Sequence, residues 1–440
     1  MYKAIIFIFF LFRISVCTAS AITNSAAVEQ KITELYLNKS WADLVKYGNQ
    51  AIHEGYDYFY LRMRIGIAYY SQKKYMKAVA HFEKAVKFNS DDKTALEYLY
   101  YSYVFSGRSS EARALTLMFS LELNESIKPA ENKYIQSVNV EGGIALSSLN
   151  DNFANIDIDG SANIYGEAVI TKNMQYLNAG LNHELGRRLS VYQAYSNIQI
   201  NLTKDIKRNN KDTSDNYLLT QHDYYVSPSI QFKGFSVSPA FHLINVNFGQ
   251  MSASYDKLHY KYIFTKKDTS FINYAASFSI AKNIGIYIYN FTGGYSQLNG
   301  LTQLQTGLSL TYFPLTNLNF YGTSSLVYLN ENSTNRVIVL QKVGFKILSK
   351  LWADAGITYG NLQNYCENNA FVVYNTGDKI LYKCGFSVTS PLFKHFEFSL
   401  RYDFYNRENT YYTVNDKLAT ESLTVNYKTH SIIGGIKWKL

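Results

Sequence analysis

The chain has 440 residues, with 43 Lys and Arg against 34 Asp and Glu, a net charge of +9, and only 18% charged residues. It holds 40 Tyr and 5 Pro, a composition that excludes disordered, collagen-like and disulfide-rich classes. The longest unbroken apolar stretch is nine residues, 4–12; a spanning helix needs about 20, so a helical membrane protein is excluded too.

The N-terminus carries an export pattern. Lys3 precedes the apolar stretch 4–12, and Ala19-Ser20-Ala21 has the small-x-small form of a cleavage site. These features predict a signal peptide over 1–21 and a mature chain from Ile22. Cys17 is not read as a lipid attachment site, because Val16 stands where a small residue is needed. Losing Lys3 and Arg13 leaves 41 basic against 34 acidic residues, or +7. That excess is too mild over this length to indicate nucleic acid.

Residues 22–131 read as a helical domain. Ile65-Gly66-x2-Tyr69, Ala78-x3-Phe82 and Ala85 resemble the tetratricopeptide repeat, whose period is about 34 residues. Arg62 stands in the family's usual Trp slot and Ser90 in its Pro slot. One period on, Leu96, Leu99, Tyr103 and Ala112 fall in matching slots, with Tyr100 in the glycine slot. One period back, Leu35 and Ala51 fit, with Ile32 in the glycine slot. Gly66, Tyr69, Ala78 and Phe82 are the expected repeat-packing residues; small side chains at 66 and 78 let two helices touch. The resemblance implies a concave surface that binds a protein segment. An unrelated helical hairpin bundle is the alternative.

From 132 to 440 the period changes to two. Phe396, Phe398, Leu400, Tyr402 and Phe404 interleave with Glu397, Ser399, Arg401 and Asp403. Similar alternation runs through 272–280, 303–312 and 351–360, with Trp352 out of pattern. Each segment is about ten residues, the span of a tilted membrane strand. Short connectors are expected at 186–188, 233–234, 281–283, 314–317, 349–350 and 390–394. Longer polar connectors are expected near 147–172, 203–216, 249–270, 296–302, 330–336, 362–378 and 407–421. Six short and seven long connectors join 14 strands, an even number that places both ends of the barrel on the short-turn side. The strands at 284–295, apolar on both faces, and 189–201, which changes phase, are the least regular. The last strand alternates from Ile432 to Leu440, with a phase slip between Tyr427 and Ile432 that predicts either a bulge or the end of the lipid-facing segment.

No catalytic motif is present. There is no G-x-S-x-G, no phosphate-binding glycine loop, and His183-Glu184 lacks a second His at 187. The chain is therefore expected not to be an enzyme, with no cofactor and no metal. Asn155, Asp157, Asp159 and Gly160 resemble half of a calcium loop, but Gly166 occupies the slot that needs an acid. A polar hairpin tip at Asp159-Gly160 is the preferred reading. Lys204, Lys207, Arg208 and Lys211 are expected in one solvated outer loop, with surface glycolipid phosphate as the alternative ligand. Alternation places Lys342, Lys346, Asp354, Lys383, Glu397, Arg401 and Asp403 toward the lumen, as candidates for cargo contact. A hairpin tip at 375–378 would leave Cys366 and Cys384 three register places apart. A disulfide between them then requires a bulge at 367–369.

The fold class is thus α + β multidomain: a short tetratricopeptide-like domain followed by an antiparallel transmembrane barrel of about 14 strands. This architecture resembles exopolysaccharide exporters and surface-lipoprotein assembly modulators. The resemblance implies an outer-membrane location with the repeats in the periplasm. It implies an export or secretion channel for a polysaccharide or surface protein. A periplasmic or inner-membrane protein partner would bind the repeats, and outer-membrane lipid would surround the barrel. A non-transporting anchor whose repeats bind a periplasmic partner is the rival, and pattern alone does not separate an open channel from a plugged barrel.

Overall fold

The structure, a computed structural model, describes residues 25–130, 133–148, 163–208, 211–232, 234–256, 258, 261–415 and 420–440. The expected signal peptide, Cys17 and the calcium-like run at 155–160 lie outside the described residues.

Seven helices come first: α1 Ser25–Leu37, α2 Trp41–His53, α3 Phe59–Ser71, α4 Tyr75–Phe88, α5 Lys93–Phe105, α6 Ser109–Leu115 and α7 Leu121–Ile127. The first six form three antiparallel pairs around one apolar core that includes Ile32, Leu44, Ile65, Phe82, Leu96 and Leu99. Gly66 lies flat on Phe82, where a Cβ would come within 2.5 Å of the ring. Ala78 is fully buried and Tyr69 nearly so. Gly48 of α2 repeats the device against Ile65, at 2.7 Å for an added Cβ. It is a second close approach, outside the slot that sequence comparison assigned to Ile32. Asp92 caps α5 by accepting from the Ala95 amide at 2.8 Å.

The remaining chain forms β1 Ile135–Ser147, β2 Asn163–Glu184, β3 Leu189–Arg208, β4 Lys211–Phe232, β5 Phe235–Asp256, β6 Lys261–Ile284, β7 Tyr287–Leu298, β8 Leu301–Tyr312, β9 Phe320–Glu331, β10 Thr334–Leu348, β11 Leu351–Tyr359, β12 Cys366–Glu367, β13 Val372–Val373, β14 Lys379–Ser390, β15 Phe396–Asn415 and β16 Thr420–Lys439. All but β12 and β13 join one closed antiparallel barrel of 14 strands, sealed where β1 pairs with β16. Side chains alternate across the wall. Large apolar residues stand outward on every barrel strand, among them Ile144, Leu177, Ile272, Leu308, Leu326, Leu400 and Ile432.

The connectors differ from expectation. Polar stretches expected as loops at 203–216 and 249–270 are paired strand: β3–β4 runs to Arg208↔Lys211, and β5–β6 to Asp256↔Lys261. The 407–421 stretch is likewise mostly the β15–β16 ladder. Past the apolar band, outward side chains no longer need to be apolar, but antiparallel pairing still satisfies the backbone. Loss of apolar alternation therefore marks the end of the band, not of the strand. Lys204 is accordingly buried in strand and paired to Glu167 at 2.9 Å; Lys207, Arg208 and Lys211 lie at the β3–β4 tip. The expected connectors at 296–302 and 330–336 shrink to two-residue turns, with left-handed Asn299-Gly300 and Asn332-Ser333. The turn expected at 281–283 falls at 285–286.

Two phase irregularities also resolve. On the outer face of β3, Gln193 and Asn197 are polar but bonded to Tyr224 and His222 of β4. No bulge follows Tyr427, because β15–β16 keeps register throughout. Tyr427 faces inward with Thr429 and Ser431, and donates to Asp378.

The helices dock on the barrel end that carries the turns at 185–188, 285–286 and 313–319, here the near end. Met76 N–H donates to Thr316 O at 3.2 Å. Asn283 Nδ2 donates to Glu111 at 2.9 Å, and Arg113 pairs with the buried Glu184. No described helix is long and apolar enough to cross a membrane.

Gly66→Leu should drive the α3–α4 pair apart, at a cost of about 1–3 kcal/mol for an overpacked core. A lowered helical melting transition by circular dichroism, with an unchanged gel shift of the barrel on boiling, is the expected result.

His81 lies buried in α4 with Arg62 Nη1 3.4 Å from its Nδ1. Burial first, and the guanidinium second, push it down to about 4. The folded helices thus hold it neutral, and the unfolded chain takes up the proton first. This contribution is complete above pH of about 6.5 and is lost as pH falls toward 4. The helical transition should therefore weaken between pH 7 and 4.5, and His81→Gln should flatten part of that slope.

Candidate functional site

The lumen is not empty. After β11, Gly360 takes a left-handed conformation (φ 129°), with no room for a Cβ beside Val337 O, 2.7 Å away. The chain then turns into the barrel rather than outward. Residues 361–378 form a hairpin across the lumen, with β12 paired to β13. Asn368, Asn369 and Ala370 are all left-handed and make its tip. The expected outer tip at 375–378 is instead the return limb of this inner hairpin.

The tip is held by the opposite wall. Tyr225 of β4 donates to Asn369 O at 3.2 Å. Asn369 donates to Ser238 O of β5 at 2.9 Å and accepts from Ser277 of β6 at 3.0 Å. His242 Nδ1 lies 2.7 Å from Ala370 O. Gln305 of β8 substitutes for a missing strand: its amide donates to Cys366 O at 2.7 Å and accepts from Cys366 N at 3.2 Å. Nearer the root, Tyr365 and Tyr374 stack and pack with Leu362 on Leu329 and Ile338. Asn299 donates to both Asn364 and the Asn375 carbonyl.

One ion pair ties the hairpin to the wall. Lys383 of β14 lies 2.9 Å from Glu367 Oε2 and 2.9 Å from the Tyr374 hydroxyl, which itself donates to Glu367 at 2.5 Å. All three are largely removed from water, so the pair holds its charges only through these mutual bonds. Cys366 packs with Ile244, Ala275 and Leu298 inside the lumen, whereas Cys384 alternates to the outward side of β14. Both thiols are free, and the disulfide considered from sequence is not formed.

Between hairpin and near end lies a cavity of about 420 Å³. One wall is neutral and polar, with Ser277, Asn290, Thr292, Ser309, Thr323 and Ser325. The other carries Lys342, Asp354, Lys383, Arg401 and Asp403, and the hairpin supplies Glu367, Asn368 and Asn369. Lys342 pairs with Asp354 at 3.5 Å, and Arg401 with Asp403 at 3.2 Å. Tyr321 also donates to Asp354. Lys346 and Glu397 sit nearer the rim. Lys346 lies over the inward Trp352 ring at 4.8 Å, and Glu397 accepts from Lys439 at 2.7 Å. Alternation reached these seven wall residues but not the hairpin residues Glu367, Asn369 and Tyr374. The signal for the latter was the apolar run Phe371-Val372-Val373-Tyr374, which is out of place in a solvated outer loop.

Residues 60–92 match the tetratricopeptide repeat family model. No curated protein matches the chain. The fold is similar to a crystal structure of a Pseudomonas aeruginosa FadL homologue, with TM-score 0.45, 8% identity, and 69% of this chain and 90% of that one covered. The P. putida toluene transporter TodX gives TM-score 0.44 at 8% identity, with 69% and 90% covered. The translocator domain of the autotransporter NalP from Neisseria meningitidis gives 0.33 at 9%, with 77% and 99% covered. None of these likenesses bears on what this barrel carries.

Lys383→Ala should leave Glu367 buried and unpaired, a loss of about 3–5 kcal/mol for a broken buried pair. Amide exchange across 361–378 should then quicken while the barrel strands stay protected. The double variant Lys383→Met with Glu367→Gln should recover much of the protection.

Proposed function

We propose that the protein is an outer-membrane export conduit, closed at rest by its inner hairpin and served by a periplasmic repeat adaptor. The single observation that carries this reading is the polar cavity between the hairpin and the barrel end on which the helices dock. The outward apolar surface on all 14 strands supports the bilayer placement. In water it would far exceed the few hundred Å² of apolar patch that a soluble monomer tolerates. The docked helices support a periplasmic near end, since an exported helical domain would remain on that side.

The cargo class is a polar polymer, a polysaccharide or an extended surface-protein segment. The cavity wall offers hydroxyls, amides and balanced charges: Lys342, Lys383 and Arg401 against Asp354, Glu367 and Asp403. Such a wall exchanges hydrogen bonds with a sliding polymer without an apolar trap. The repeats would bind a periplasmic or inner-membrane protein and bring the cargo to the near end. This reading assigns no catalytic chemistry to the chain.

The rival reading is an anchor whose lumen is permanently filled. Planar-bilayer recordings separate the two. Replacing 362–377 by a short Gly-Ser linker should convert a barrel of low conductance into one with large, steady openings. Unchanged conductance in a variant that still shifts on boiling would favour the anchor.

A further inference from the structure

The helical layer bears apolar side chains that its own core does not use. Around the short 3-10 turn Thr116–Met118, Leu115, Leu123 and Ile127 are buried in the core and Phe119 packs against it. Leu117, Met118 and Leu121 stand in the open, Leu121 at 85% exposure. This trio is fastened to the barrel rim. Arg187 in the β2–β3 turn donates to Thr116 O at 2.5 Å, and Arg113 of α6 pairs with Glu184 at the end of β2. At the same rim the outward register of the barrel continues. Leu185 follows the outward parity of Leu177, and Tyr134, beyond a register shift between Ile135 and Ser137, sets its ring edge-on at 5.3 Å to His183, which shares that outward parity. Leu185 and Tyr134 are exposed, and Arg188 is exposed beside them.

We infer that the 3-10 turn and the start of α7 lie in the bilayer interface at the near end, with Leu117, Met118 and Leu121 among the lipid headgroups and upper acyl chains. The occupant is lipid because the patch adjoins the barrel's own outward apolar band and is bonded to its rim. Any cover at that level is the bilayer before it is a protein. A few exposed aliphatics, a rim tyrosine and a neighbouring Arg suit an interfacial contact. The helical domain then has two supports, the rim and the lipid, which fix its tilt over the near end.

The inference rests on the proposed bilayer placement of the barrel. The test uses the full chain with Trp41, Trp352 and Trp438 changed to Phe, reconstituted in phosphatidylcholine vesicles with or without bromine on the upper acyl chain. Single tryptophans are introduced as Leu121→Trp, Leu308→Trp on the outward face of β8, and Phe88→Trp at the far end of α4, each variant being checked for its shift on boiling. Brominated lipid should cut emission about twofold for Leu121→Trp, a depth expected of an interfacial side chain. Leu308→Trp should be quenched and Phe88→Trp should not. Quenching of Leu308→Trp without Leu121→Trp overturns this inference and leaves the barrel in the bilayer. Failure of both overturns the bilayer placement itself. Equal quenching at Phe88→Trp also overturns the inference, because the helices would then lie on lipid without a specific contact.

Discussion

Closure of the backbone ladder is the constraint on which the rest depends. Within a bilayer there is no water to satisfy a free N–H or C=O, so a sheet that crosses must have no edge. Here the seal is the eleven-residue pairing of β1 with β16, from Ser137↔Lys439 to Ser147↔Thr429. Once the sheet is closed, alternation assigns every side chain to one of two solvents. An even strand count also returns both ends of the barrel to one side, and this places the helices at the near end.

A closed ring of 14 strands encloses more space than its inward side chains fill. The hairpin 361–378 occupies that space, and hydrogen bonds tie it to the wall, some from wall side chains to its backbone and others through its own Asn364, Asn369 and Asn375 side chains. Such bonds contribute only about 0.5–1.5 kcal/mol each, net of water. The placement of the hairpin therefore rests on many modest contacts, with the Tyr365–Tyr374 stack and the Lys383–Glu367 pair as its firmer points. In the proposed conduit, a plug of this kind would exchange its bonds with water or with a polar polymer. An apolar plug would lose its burial on leaving.

The helices add a second level of order. The α3–α4 bend meets the barrel at Thr316, and α6 meets it at Glu184 and Asn283. These contacts hold the repeats over the barrel end nearer the cavity. In the proposed reading, an adaptor in that position would deliver a partner's cargo directly in front of the polar wall.

Much of this was legible in local pattern. The close packing of Gly66 on Phe82, the change of period at the domain junction, the strand count and the inward set from Lys342 to Asp403 all follow from spacing along the chain. Helix and strand impose their periods over a few residues, so a few residues suffice to read them. Tertiary structure alone decided the rest. Strand pairing beyond the apolar band, the inward fold of 361–378, the inward face of Tyr427 and the separation of Cys366 from Cys384 each depend on partners far away in sequence. Asn369 is held by Ser238, 131 positions earlier, and Asn375 by Gln221, 154 positions earlier. Whether a polar connector turns out to solvent or in to a lumen depends on whether such partners stand opposite it, and only the closed barrel brings them there.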